Sequence, residues 1–275
     1  MNKLIINLAP TGMIPTREMT RHVPLSPLEI ISDTLKCAAL GASMVHIHAR
    51  GQDGLPSFRK EIFREIIQGI RAKAPELVVV VSTSGRTYNE FVQRSEALEL
   101  TGEAKPDMAS LTLSSLNFNK IASVNSPDMI MRLAGRMMEQ GIKPELEVFD
   151  LGMVNVAHYL IGKGLLTPPY YFNILLGNIA AAQARLMHLG LIVAELPPGS
   201  IWSVTGIGDF QKPMHGLGVI VGDGVRVGLE DNIWFDEDRT CLATNVTLVE
   251  RVVQLARAYG RDIATPAETR RALGL

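Results

Sequence analysis

His46 and His48 stand one residue apart in Val45-His46-Ile47-His48, a β-branched run continued by Ala49-Arg50. Alternate residues of a strand project to the same face, so both imidazoles leave a strand here together, and two ligands at that spacing can share one metal ion. The competing reading gives one histidine to the core and the other to the surface. A two-histidine site needs a third donor, and the carboxylate in a comparable place is Glu230, at the end of Val225-Arg226-Val227-Gly228-Leu229-Glu230. Two histidines and one carboxylate leave the fourth position of zinc open to water or substrate, the pattern of a catalytic rather than a structural centre. Glu230 and Asp231 also suit a plainer duty, capping a helix after the strand.

Arg226 shares strand parity with Glu230, which aims it at the same interior, a costly place for a guanidinium unless a carboxylate meets it. Asp231 or a substrate carboxylate is the natural partner. Ser82-Thr83-Ser84-Gly85 offers hydroxyls and backbone amides that could hold a carboxylate, or it makes a simple turn. Glu147, in Pro144-Glu145-Leu146-Glu147-Val148, is either an outward salt-bridge partner or an inward acid/base, and its parity with Glu145 leaves the choice open. His22, His158, His188 and His215 fall in a loop or in helical patterns and are left out of the site. Gly206-Ile207-Gly208 lacks the third glycine of a nucleotide fingerprint.

Eight short β-branched runs can carry these residues: 4–9, 44–49, 78–82, 109–113, 146–149, 172–176, 201–204 and 225–229. Helical periodicity fills the intervals at 27–40, 59–72, 127–140, 153–161 and 179–189, and a last helix at 248–259 with a short segment at 266–273 closes the barrel or caps one end. Four consecutive valines, Val78 to Val81, suit a strand covered on both faces, as a parallel sheet with flanking helices requires. Eight strand-then-helix units predict an α/β fold, a single (β/α)8 TIM barrel over residues 1–275, with strands two and eight flanking strand one and the histidines near the C-terminal mouth. No Ser/Gly linker divides the chain.

Composition narrows the ligand. Lys and Arg total 27 against 28 Asp and Glu among 275 residues, with no run of like charge, so no nucleic-acid partner is expected and a small molecule is. The first apolar stretch is too short for a signal core or a membrane span, which predicts no membrane partner and a cytoplasmic protein. Cys37 and Cys241 are too far apart in sequence for a thiolate zinc motif, and Cys37 is expected to be buried on a helix.

Taken together, Pro10-Thr11-Gly12, Val45 to Arg50, Ser82 to Gly85, Met108-Ala109-Ser110, Glu145 to Val148 and Gly228 to Asn232 resemble the β-keto acid cleavage enzymes over nearly the whole chain. The resemblance implies a zinc-dependent barrel enzyme, an acyl and C–C bond transferase, that converts a β-keto acid plus acetyl-CoA into acetoacetate plus an acyl-CoA. It also implies Zn2+ on His46, His48 and Glu230, the keto acid held by Ser82, Gly85 and Ser110, and a proton-abstracting pair of Arg226 with Asp231. Glu147 matches a family acid that assists later steps, and a homo-oligomer, dimer or tetramer, is expected. Pairing with Arg226 should favour the ionised form of Asp231 and lower its basicity.

Ile14 follows Thr11-Gly12-Met13 where the family member that cleaves 3-keto-5-aminohexanoate has a glutamate for its substrate's ammonium group. An apolar side chain there points to a neutral or apolar substrate tail. Two other readings fit less. An amidohydrolase-like barrel carries its His-x-His pair on strand one with further histidines on strands five and six, which have none here. A metal-stabilised, non-catalytic ligand-binding barrel leaves an inward Arg226 beside Asp231 unexplained.

Overall fold

A computed structural model describes residues 3–275. Eight parallel strands close into a barrel: β1 (Ile5–Leu8), β2 (Met44–Ile47), β3 (Val78–Val81), β4 (Met108–Thr112), β5 (Lys143–Val148), β6 (Tyr170–Leu176), β7 (Ser200–Gly206) and β8 (Gly224–Val227). Each strand pairs with its sequence neighbours, and β1 closes the ring with Asn7 opposite both Met44 and Arg226. This is the (β/α)8 fold expected from the alternating pattern. Helices α1 (Pro27–Leu40), α2 (Lys60–Arg71), α3 (Phe91–Ser95), α4 (Pro127–Glu139), α5 (Leu151–Gly162), α6 (Leu186–Ala194) and α7 (Gln211–Val221) return the chain between strands, and α8 (Asn245–Ala258) and α9 (Pro266–Leu273) follow β8.

The helices start where side chains satisfy their free amides. Ser26 and Glu29 form a capping box on α1 with Pro27 at its first turn, and Thr265 and Glu268 do the same for α9. The outward residues Val79 and Val81 join Ile66, Ile67 and Ile70 of α2 in the layer between barrel and helices. Val78 and Val80 point the other way. With Ile5, Met44, Met108 and Tyr171 they fill the N-terminal half of the barrel interior, which Ala264 and Leu273 plug from below. Above that apolar floor the inward positions turn polar, with Asn7, His46, Ser110, Glu145, Ser203 and Arg226 all buried. The barrel is therefore a packed core at one end and a site at the other.

The structure revises three expectations. No helix spans 179–189: α6 starts at Leu186, because Gln183 donates through its side-chain amide to the carbonyls of Asn178 and Ala181 and holds the preceding segment as a loop. Helix α7 went unseen since Pro213, Gly216 and Gly218 dilute its apolar period. Gly218 has a packing reason, as a Cβ there would lie 2.6 Å from Val225 Cγ1 and 2.9 Å from Val204 Cγ1, so glycine lets α7 settle onto β7 and β8. Strand β8 stops at Val227 rather than Leu229, and the chain turns at Gly228, whose φ of 154° and contact with the Ala9 carbonyl exclude a side chain.

Candidate metal centre and its acid–base pair

Beyond Gly228 strand parity no longer governs where side chains point, yet Glu230 still reaches the barrel mouth. Its backbone amide donates to the Ala9 carbonyl at 3.2 Å, tying the turn after β8 to the end of β1. Gly12, at φ 64°, completes the seat: a Cβ there would lie 2.4 Å from Glu230 Cγ. No helix begins at Glu230 or Asp231, so the capping role fails; the next one, α8, is capped by Thr244.

His46 and His48 lie on one face, with ring centroids 5.1 Å apart. His48 Nε2 is 3.2 Å from His46 Nε2 and 3.2 Å from Glu230 Oε1. Donors held at 2.0–2.1 Å round a tetrahedral ion sit about 3.3 Å from one another, so these spacings suit a shared cation. Glu230 Oε2 is buried without any hydrogen-bond partner, a further donor atom free to serve an ion. His46 Nδ1–H donates to Glu145 Oε2 at 2.5 Å, which leaves the Nε2 lone pair facing the other donors. Burial opposes charge on His46, but Glu145, with Glu230, raises the imidazole above its usual value; burial lowers His48, with His46 and Arg226 adding to the fall and Glu230 opposing it. A cation entering here would displace the proton that the bare site holds.

Glu145 is the residue that sequence reasoning missed. It is fully buried and also accepts from Asn7 Nδ2 at 2.7 Å and Asn173 Nδ2 at 3.2 Å. The signal was present in its parity with Glu147: both carboxylates face inward.

Arg226, 1% exposed, binds three acids at once. Its Nε and Nη2 donate to Asp231 at 2.9 and 3.2 Å, Nη2 lies 2.7 Å from Glu230 Oε1, and Nη1 lies 3.5 Å from Glu147 Oε1. Thr112 donates to the other Glu147 oxygen at 2.6 Å. Asp231 departs from expectation: burial pushes its carboxyl above the usual carboxylate range, with Glu230 adding to the rise, and Arg226 only partly offsets it. Burial likewise raises Glu147. Either group is therefore a stronger base than a free carboxylate and holds its proton more firmly.

A cavity of about 570 Å3 opens above these groups. His48, Ser82, Arg226, Glu230, Asp231 and Glu147 line its floor and walls, and Ile14, 48% exposed, lines it on another side. Arg50 fixes that wall by donating to the carbonyls of Gly12, Pro15 and Gly54. Ser110 and Gly85 are not on the lining. Ser110 Oγ accepts the Thr83 amide at 3.2 Å, and a Cβ on Gly85 would lie 2.5 Å from the Val124 carbonyl and 2.7 Å from Arg94 Nη1. Both are thus seen shaping the loop after β3.

Among the described residues no helix is long and apolar enough to cross a membrane. A family model described as beta-keto acid cleavage enzyme matches residues 3–275. The 3-keto-5-aminohexanoate cleavage enzyme of Fusobacterium nucleatum subsp. nucleatum is 38% identical over 276 residues, covering 100% of this chain and 99% of that one. The 3-oxoadipate:acetyl-CoA acetyltransferase of Cupriavidus necator is 35% identical, covering 98% and 94%. The apo structure of ObcA has the same fold, with a TM-score of 0.80 at 20% identity over 92% of this chain. The chain spans about two thirds of that structure's length, 66%.

Proposed function

This chain belongs to the beta-keto acid cleavage enzyme family, and from that premise we propose that it is a zinc-dependent, single-domain catalyst whose β-keto acid substrate carries a neutral or apolar tail. The reaction is an exchange with acetyl-CoA: R–CO–CH2–COO⁻ and CH3–CO–SCoA become CH3–CO–CH2–COO⁻ and R–CO–SCoA. Relatives named as acetyl-CoA transferases support it. The observation that carries the metal dependence is the convergence of His46, His48 and Glu230 donor atoms within 4.8 Å of one another beside the Arg226–Asp231 pair.

When bound, zinc supplies electron withdrawal from the keto oxygen and carboxylate, which acidifies the carbon between them. Asp231 then takes the proton from that carbon, held in place by two hydrogen bonds from Arg226. The carbon so exposed forms its new bond to the acetyl carbonyl as the C–S bond of acetyl-CoA breaks and coenzyme A leaves as the thiolate. Glu147, protonatable and fixed by Thr112, stands across Arg226 from Asp231 to return a proton as the bond to R–CO breaks and the coenzyme A thiolate takes that acyl group. Ser82 lines the cavity and can donate to the keto acid. Ser110 and Gly85 hold it indirectly, through the loop that carries Ser82.

Ile14 sets the tail preference, since an ammonium group beside it finds no counter-charge. The test is a panel of β-keto acids assayed for acetyl-CoA-dependent acetoacetate formation, with His46→Ala as the inactive control. Faster turnover of 3-ketohexanoate than of 3-keto-5-aminohexanoate is expected, with Ile14→Glu shifting the preference toward the amino substrate. The reverse order in the wild-type enzyme overturns the neutral tail.

A further inference from the structure

The peptide that joins Gly228 to Leu229 is held by side chains from two different helices. Gln211, at the start of α7, donates from Nε2 to the Gly228 carbonyl at 3.0 Å, and Asn245, the first residue of α8, accepts the Leu229 amide on Oδ1 at 2.9 Å. That carbonyl and that amide belong to one peptide plane, so the two side chains together fix its direction. Both are fully buried, a costly place for an amide side chain unless its groups are paired. Neither lines the cavity.

Asn245 also reaches the neighbouring turn. Its Nδ2 donates to the Pro10 carbonyl at 3.1 Å and to Asp33 Oδ2 of α1 at 2.8 Å. Asp33 sets which way the Asn245 amide faces, because only its N–H side can meet a carboxylate. Pro10 lies two residues before Gly12, against which Glu230 Cγ rests. One side chain therefore ties the turn that carries Glu230 to the turn that seats it.

The consequence falls on the residues that follow. At φ 154° and without a side chain, Gly228 does little to fix the peptide after it, so that peptide takes its direction from Gln211 and Asn245. Beyond it the Glu230 amide reaches the Ala9 carbonyl at 3.2 Å, and the Asp231 carbonyl accepts the Gly208 amide at 2.8 Å. Glu230 then lies 3.2 Å from His48, while Asp231 lies 2.9 Å from Arg226. Two acids adjacent in sequence are delivered to two different tasks.

We propose that Asn245 and Gln211 are positioning residues, which set the Gly228–Leu229 peptide so that Glu230 meets the histidines and Asp231 meets Arg226; this rests on the metal centre proposed above.

The test uses Co2+ as a probe in place of zinc, since its visible absorption reports the geometry of its donors. Metal-stripped wild type, Asn245→Ala, Gln211→Met and Thr269→Val are titrated with Co2+ and, by chelator competition, with Zn2+, and the unfolding of each is followed in denaturant. Thr269→Val is the control for lost stability alone, because the buried Thr269 hydroxyl donates to Ser43 Oγ at 2.8 Å at the closed end of the barrel. Asn245→Ala and Gln211→Met should each bind zinc about tenfold or more weakly and shift the cobalt band. Thr269→Val, though destabilised, should keep the wild-type affinity and band. Folded Asn245→Ala protein with wild-type affinity and band overturns the proposal, as does an equal fall in Thr269→Val. If Asn245→Ala does not fold, Gln211→Met decides by the same readings. Wild type that binds neither ion overturns the metal centre, and the positioning role with it.

Discussion

His46 Nδ1 lies 2.5 Å from Glu145 Oε2, joining β2 to β5 across the barrel interior in full burial. This contact sets which imidazole nitrogen carries the proton and which faces the cavity. The ligand geometry at the mouth therefore depends on a carboxylate outside the His46–His48–Glu230 cluster.

Glu145→Gln keeps the shape but weakens the acceptor for His46. Zinc affinity, read by competition with a chelator, should fall by about 10–100-fold. Glu145→Ala should in addition lower stability by about 1–3 kcal/mol, because the donors of Asn7 and Asn173 lose their buried acceptor. An unchanged zinc affinity in Glu145→Gln contradicts the orienting role.

Gly12→Ala isolates the seat of Glu230. The backbone cost of placing a side chain at φ 64° is about 1 kcal/mol, and the new Cβ also displaces Glu230, 2.4 Å away. Gly102 has φ 61° with nothing within 4 Å, so Gly102→Ala carries the same backbone cost without the clash. Zinc affinity and turnover should fall in Gly12→Ala only. Equal loss in both variants would mean that general destabilisation is the cause.

Asp231→Asn leaves a side chain of the same shape next to Arg226 and removes the base. Exchange of the C2 protons of acetoacetate with deuterium, followed by NMR, should slow by about 10²–10⁴-fold while acetoacetate still binds. Exchange at the wild-type rate would move the base elsewhere, Glu147 being next in line.

His215 makes a pH-dependent contribution to stability. It is fully buried in α7, its Nε2–H donates to the Arg226 carbonyl at 2.8 Å, and burial lowers its pKa to about 3. The unfolded chain takes up a proton near pH 6.5 that the folded one refuses, so this group leaves stability untouched above pH 6.5 and reduces it as the pH falls from there toward 3. At pH 5 the loss amounts to about 2 kcal/mol. Denaturant unfolding of His215→Gln should depend less on pH between 7 and 5 than the wild type; parallel pH profiles contradict the assignment.

The barrel was legible because its period is written in β-branched runs, and Val78–Val81 alone calls for a strand buried on both faces. The helix bounds at 27–40 match the structure, where Ser26 caps the start and Pro27 opens the first turn. Of the site, His46 and His48 could be read together from strand parity; Glu230 and Asp231 lie past the end of β8, where Gly228 turns the chain, so parity does not account for their place beside the histidines and Arg226. Glu145 was legible only in part: its parity with Glu147 puts both on one face, but its partner His46 lies across the barrel, a relation of register and tilt rather than of spacing. The rise of Asp231 was hidden for a related reason: its pairing with Arg226 is local in sequence, whereas its burial comes from the whole barrel mouth.

The most direct test counts zinc. Protein stripped by a chelator and titrated with Zn2+ should bind one ion per chain and recover acetyl-CoA-dependent acetoacetate formation in step with that ion, while His46→Ala, His48→Ala and Glu230→Gln each lose both. Stripped wild-type protein that turns over at the full rate, or any of these three variants still binding the ion stoichiometrically, would contradict the account.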